Sequence, residues 1–519
     1  MSGYPQKIQL FNPYKIHLMP KTTLLLMLAV LLNIQNVNAF CGFYVAKADT
    51  ELFNEKSEVI LTRDGFETVL TMSNDFKGDV KDFAMVIPVP TVLSRNNIKV
   101  VDRYIFDRLN GYSGPRLVEY YDEHPCYRYD YRMMEKMAIP AIGIMEDASG
   151  SMEFDDYQVT IEASYTVGEY DILLLSAQES QGLKRWLTDN GYQIPEKAEA
   201  ILEPYLKSNM KFFVAKVNLE EYGQSDYQNL RPIQIRYNHP RFMLPIRLGM
   251  ANANGSQDLI VYAMTPNGRV ESTNYQTVDI PSNFNVPTFV TDQFSSFYKD
   301  LFAKAYRRNG RNAVFVEYAW DLSSSNYTKC DPCATTPPAY SELIDAGVHW
   351  IDYEDVSGWG GADYAGDLFF TRLHVRYENL HFPSDLEFHV TANKTNYQGR
   401  YVMQHMYEGP INCEENVNLH YYLDVKDRRE DELDNLAYYA GWDKNKYRSY
   451  VSSIDSHLER VDPAQRRNTI GFQIKRFFRN HLNTLSPIHY QSLAIILFGI
   501  TGLLCMQRIA RSRQVVRVQ

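Results

Sequence analysis

The chain has 519 residues, 45% hydrophobic and 22% charged, with a formal charge of −10 at neutral pH. This composition suits folded domains rather than disorder, and the acidity argues against nucleic acid as a partner. Setting aside the three lysines of residues 1–39 and the four arginines of residues 508–519, stretches with no acidic residue, takes the formal −10 to −17 for the part between them. Thirty-eight tyrosines against five tryptophans suit exposed strands and wet surfaces but select no ligand.

The first element is hydrophobic. Lys21 precedes a nine-residue apolar run, Leu24 to Leu32, and Val37-Asn38-Ala39 then offers a small-residue cleavage site, so residues 1–39 read as a signal peptide cut between Ala39 and Phe40. Nine helical residues cover only about half of a hydrocarbon core of roughly 30 Å, too little to span it. Phe40 before Cys41 disfavours lipoprotein processing, which needs a small residue there.

Within the exported part, β-formers flank Asp64-Gly65 from Ser57 to Ser73, a hairpin pattern. Asp82 to Val89 reads as a buried strand ending at its prolines, and Val101 to Leu109 as a short helix closed by Asn110-Gly111. Strands follow at Gln158 to Tyr165 and Tyr170 to Leu175, then helices burying Leu183 and Leu187 and, after Pro195, Ile201 and Leu202. Lys211 to Val217 and Ile233 to Tyr237 return to strand, and Leu259 to Thr265 is expected to pair with Arg269 to Thr273 across Asn267-Gly268. Thr291 is expected to cap an aromatic-striped helix ending before Gly310. Strands Ala313 to Tyr318, Phe370 to Tyr377, Leu386 to Val390 and Gly399 to His405 come next, then a polar helical pattern from Glu430 to Asn480. Ile488 to Gln507 is uncharged and closes on Arg508, Arg511, Arg513 and Arg517, which reads as a membrane helix with its C-terminus in the cytoplasm.

The expected class is therefore α+β, a β-rich mixed exported domain with several short helices plus one C-terminal transmembrane helix. Its expected divisions are residues 40–320, an N-terminal part; 321–440, a C-terminal β-rich part; 441–486, a juxtamembrane segment; 488–507, the transmembrane helix; and 508–519, a basic tail.

Several segments carry a resemblance: Phe40-Cys41-Gly42-Phe43-Tyr44-Val45-Ala46, Phe83 to Pro90, Tyr170-Asp171-Ile172, the Trp186 helix with Asn190-Gly191-Tyr192, Phe212 to Val217, Glu317-Tyr318-Ala319-Trp320-Asp321, Cys330-Asp331-Pro332-Cys333 and Gln398-Gly399-Arg400-Tyr401. In order and spacing this set resembles the bacterial domain of unknown function family 2330 over roughly residues 40 to 440. The resemblance implies an exported or membrane-tethered envelope protein. It implies no activity.

Cysteines are the first chemical lead. Outside the cytoplasm Cys41, Cys126, Cys330, Cys333 and Cys413 are expected to oxidise, and Cys330-Asp331-Pro332-Cys333 admits structural pairing, thiol-disulfide exchange or a metal. Arg372, His374 and Arg376 share one strand face by the two-residue period. That face suits an anion, or is a solvated surface neutralised by neighbours such as Glu378 and Glu387. Asp355, Asp363 and Asp367 surround a glycine-rich loop that would suit calcium, though not with EF-hand spacing. No GxSxG, HExxH, P-loop or GxGxxG is present, and no cofactor is called for. The expected role is a membrane-anchored envelope module, non-enzymatic, with a protein or glycan partner. The alternatives are an envelope thiol oxidoreductase using Cys330 and Cys333, or a metal-dependent hydrolase.

Overall fold

Strands that are apolar or β-branched at nearly every position need cover on both faces. A computed structural model shows how this chain provides it. The structure describes residues 43–45, 53–54, 57–73, 76–77, 84–126, 159–177, 180–189, 198–224, 230–251, 255–325, 335–354, 363–412 and 417–461. Two units divide the chain: residues 1–116, 146–282 and 302–399 form one, and 117–145, 283–301 and 400–519 the other.

The principal elements of the first unit are β1 (Phe43–Val45), β2 (Ser57–Asp64), β3 (Glu67–Met72), β4 (Ala84–Val89), β5 (Ile98–Val100), α1 (Tyr104–Ser113), β6 (Val159–Val167), β7 (Tyr170–Ala177), α2 (Ser180–Asp189), α3 (Ala198–Lys207), β8 (Lys211–Val217) and β9 (Ile233–Asn238). Then come β10 (Gln257–Thr265), β11 (Val270–Ser272), β12 (Gln276–Asp279), α4 (Phe294–Arg308), whose last turns from Phe302 belong here, β13 (Ala313–Asp321), α5 (Tyr340–Asp345), β14 (Phe369–Tyr377), β15 (Leu386–Val390) and β16 (Tyr397–Gln398).

Two sheets result. One is antiparallel in the order β1-β4-β8-β7-β6. The other runs β12-β13-β14-β10-β2-β3-β9-β5, with β16 beside β13, and is parallel only at β12/β13 and β10/β2. Their facing surfaces share a core that includes Leu61, Ile87, Phe213, Val261 and Leu373. On the outer face of the smaller sheet, Leu183, Leu187 and Leu202 of α2 and α3 bury Val86, Phe212 and Val214. On the outer face of the larger, Phe106 and Leu109 of α1 and Leu343 of α5 bury Ile60, Tyr262 and Phe370. The unit is thus a helix-sheet-sheet-helix stack, which covers both faces of every central strand.

Local departures from the sequence reading have identifiable causes. The β2-β3 loop is Gly65-Phe66, with Gly65 at φ +52°, because Asp64 is already paired with Glu67. Pro88 lies inside β4 opposite Phe212, and among the described residues β1 pairs with β4 from Ala84 to Val86. Helix α1 runs through Asn110-Gly111 because Tyr112 is buried, Ser113 Oγ donates to the Leu109 carbonyl, and the stop comes only at Gly114. Strand β10 does not pair with β11, since β2 and β14 take its two edges; β11 pairs with β15 instead. Thr291 does not cap α4 but lies in a preceding 3-10 turn, Thr288–Gln293, donating to the Thr288 carbonyl. Strand β13, which straddles residue 320, is the neighbour of β14 in one sheet.

The second unit holds a three-stranded sheet, Phe284–Asn285, Arg400–His405 and Arg116–Tyr121, and a helix, Val417–Asn435, continued by a π-helical turn, Leu436–Ala440. Its helical stretch starts before Glu430 and is described to Val461. Rings make much of its core: Phe284 stacks on Tyr439 at 4.1 Å, and Phe297 meets Tyr401 edge-on at 5.1 Å. Among the described residues no helix is long and apolar enough to cross a membrane. The run 488–507 lies outside them.

Candidate functional site

Alternation along β14 sends Phe369, Leu373, Val375 and Tyr377 into the inter-sheet core. Arg372, His374 and Arg376 consequently share the opposite face, as their spacing predicts. A β-bulge in the neighbouring strand supplies their counter-charge. Val316 is opposite Leu373 and Tyr318 opposite Arg372, so Glu317 is the extra residue of β13, and the irregularity aims its carboxylate at β14. On the other flank, β10 contributes Asp258 opposite Arg376.

The five charges form a ladder. Arg372 Nε donates to Glu317 Oε2 at 2.6 Å, His374 Nδ1 lies 2.7 Å from Glu317 Oε1, and His374 Nε2 lies 3.2 Å from Asp258 Oδ1. Arg376 closes it with a bidentate pair to Asp258 at 2.8 and 2.7 Å. Side-chain exposure grades from 1% for Glu317 and 6% for Arg372 to 21% for Arg376 and 31% for Asp258. Arg372 also donates to Asn110 Oδ1 of α1 at 2.8 Å and sits over the ring of Tyr262, whose hydroxyl donates to Glu58 at 2.7 Å.

Burial opposes the charge on His374, yet Glu317 and Asp258 together outweigh it and raise its pKa. Burial likewise opposes ionisation of Asp258, but His374 and Arg376 hold it well below the usual carboxylate range. Imidazolium with both N–H groups engaged is therefore the favoured form of His374. The cationic face is paired with Glu317 and Asp258, not with Glu378 and Glu387: those bind His381 and Arg241. Nor is it a solvated surface, because the α4 ring of Phe302 stacks on His374 at 3.7 Å. Chemically, the arrangement fastens three strands and two helices together.

Of the cysteines, Cys126 is disulfide-bonded, while Cys41, Cys330, Cys333, Cys413 and Cys505 lie outside the described residues, as do Ala39 and Phe40. In the glycine-rich loop Asp355 also lies outside, and Asp363 accepts the Tyr340 N–H at the start of α5. Among the described residues no three His, Cys, Asp or Glu side chains are grouped to hold a metal ion.

The second unit has its own charged network. Asp122 accepts two hydrogen bonds from Arg428, one from Tyr421 and one from Gln404. One turn beyond Arg428, Glu432 is fully buried; it accepts from the Tyr450 hydroxyl at 2.7 Å, and burial pushes its pKa up to about 7. On this unit's surface Tyr121, 68% exposed, stacks on His405 at 4.6 Å, with Glu119 accepting from the Tyr121 hydroxyl.

Reading by sequence missed Glu317, Asp258 and Glu432. A carboxylate interrupting the apolar run Ala313 to Val316 was the available signal for Glu317. No local pattern marks Asp258. No curated protein and no solved structure matches the chain. A family model described as "uncharacterized protein conserved in bacteria (DUF2330)" matches residues 35–389, a span that includes Asp258, Glu317 and all of β14. With well over half of its length matched, the chain belongs to this bacterial family of uncharacterized proteins.

Proposed function

We propose that the chain is a membrane-anchored protein of the bacterial cell envelope whose exported part is a non-enzymatic binding or surface-organising module. The address rests on the hydrophobic patterning of the two ends: a signal peptide removed at Ala39/Phe40, residues 40–486 outside the cytoplasm, a membrane helix at 488–507 and a basic tail inside. The observation that carries the module reading is that the charged groups of the ladder are already engaged with one another. Both ring nitrogens of His374 face Glu317 and Asp258, Arg376 is bidentate to Asp258, and Arg372 divides its donors between Glu317 and Asn110, which suits a structural tie better than an anion or proton-transfer site. Contact with an envelope protein or glycan then falls to surface rings such as Tyr121.

Reporter fusions at the C-terminus and after Ser323 test the address; they are expected to report opposite compartments, and two cytoplasmic signals would overturn it. Capture of envelope protein or glycan by the full chain, reduced by Tyr121→Ala, tests the module. The motif Cys330-Asp331-Pro332-Cys333 favours a second reading, thiol-disulfide exchange. Insulin reduction abolished by Cys333→Ser would establish that reading in place of the first.

A further inference from the structure

His374 is where the ladder meets helix α4. Its ring stacks on Phe302 with 14° between the planes, and the Arg376 guanidinium lies 5.0 Å from the Phe302 centroid and 5.8 Å from that of Tyr306. The last turns of α4 therefore rest on two cations of β14 through two rings, a contact that strengthens with positive charge on the imidazole and with exclusion of water. The titratable and charged groups around His374 are Glu317 from β13, Asp258 from β10, Arg372 and Arg376 from its own strand, and Tyr306 from the helix.

We infer that His374 is a proton-operated clasp: as an imidazolium it ties β10 to β13 and carries Phe302, and loss of its proton loosens the last turns of α4 from the sheet. The two hydrogen bonds are unequal, and the inequality sets the order of events. Nδ1 faces the buried Glu317 at 2.7 Å, whereas Nε2 faces Asp258, the most exposed member, at 3.2 Å. The proton leaves from Nε2 to solvent, the nitrogen lone pair then faces the Asp258 carboxylate, and that contact turns from attraction to repulsion. Asp258 keeps its bidentate arginine, so the strands stay paired while the imidazolium-ring attraction under Phe302 is lost. Because the pKa of His374 is raised above its ordinary 6.5 by Glu317 and Asp258, the clasp is closed in acid and opens as pH rises through the raised value.

Amide hydrogen exchange of residues 302–308 in the full chain, followed from pH 6 to pH 10, corrected for the intrinsic rate and read beside the His374 ring resonances, tests this. Protection of that segment is expected to fall about tenfold as His374 deprotonates, with β14 itself unchanged. In His374→Gln, which keeps a donor but has no proton to lose, the dependence should vanish. Should that variant not fold, Phe302→Leu provides the reading: low protection at every pH with the His374 titration intact. Protection that stays constant through the titration, or a dependence that survives in His374→Gln, would overturn the inference.

Discussion

Single side chains in this protein matter most where charge is buried. Glu317 is 1% exposed and serves Arg372 and His374 at once, so Glu317→Ala leaves two cations without their shared carboxylate. A loss of about 3 to 5 kcal/mol is expected, measured by denaturant unfolding, whereas a well-packed apolar replacement of the whole ladder should cost far less. Glu432 works in the opposite sense. Its pKa rises from the ordinary 4.5 to about 7 on folding, so the stability it contributes is fully present below pH 4.5 and is lost as pH climbs to about 7. Glu432→Gln is expected to remove that dependence and to stabilise the second unit above pH 7 by about 3 kcal/mol, seen as a pH-independent unfolding midpoint over that interval.

For the elements, periodicity was a sound guide wherever burial obeyed it. The two-residue alternation of β14 put Arg372, His374 and Arg376 on one face, and the structure places them there. The bulge at Glu317 was not legible, because it is an offset between two strands and no single-strand pattern encodes it. Asn110-Gly111 misled for a related reason: a local stop signal was overridden by burial of Tyr112 one residue later. Gly111 is exposed, with no positive φ and nothing within 4 Å of an added Cβ. Gly111→Ala should therefore stabilise the first unit by about 0.5 to 1 kcal/mol, measured as a raised unfolding midpoint; a neutral or negative result would contradict a helix continuing through this position.

On the scale of the whole molecule, several described groups shape stability against pH, Glu432, His374 and Asp258 among them. Glu432 and His374 both favour the folded state in acid, losing their contributions as pH rises above 4.5 and 6.5 respectively. Asp258, depressed by its partners, contributes above its ordinary 3.8 and loses that contribution as pH falls through its lowered value. The thermal midpoint should accordingly peak in mild acid, roughly pH 4 to 5, and a peak above pH 7 would refute this balance. If Cys330 and Cys333 are oxidised in structural bridges, within the motif or to other cysteines, Cys330→Ser should cost about 2 to 4 kcal/mol, and mass spectrometry of the unreduced protein should show no free thiol at either position.

By itself the sequence determined the α+β class, most strand positions, the shared face of three cations and the family, because these depend on period, composition and ordered motifs within short spans. Tertiary structure decided which strands are neighbours, the helix-sheet-sheet-helix stack, and the partners of the cationic face. Asp258, Glu317 and His374 lie 59 and 57 residues apart along the chain, and only strand order and one bulge bring them within hydrogen-bonding distance. Charge balance in a buried site is a property of that assembled geometry, which no local pattern carries.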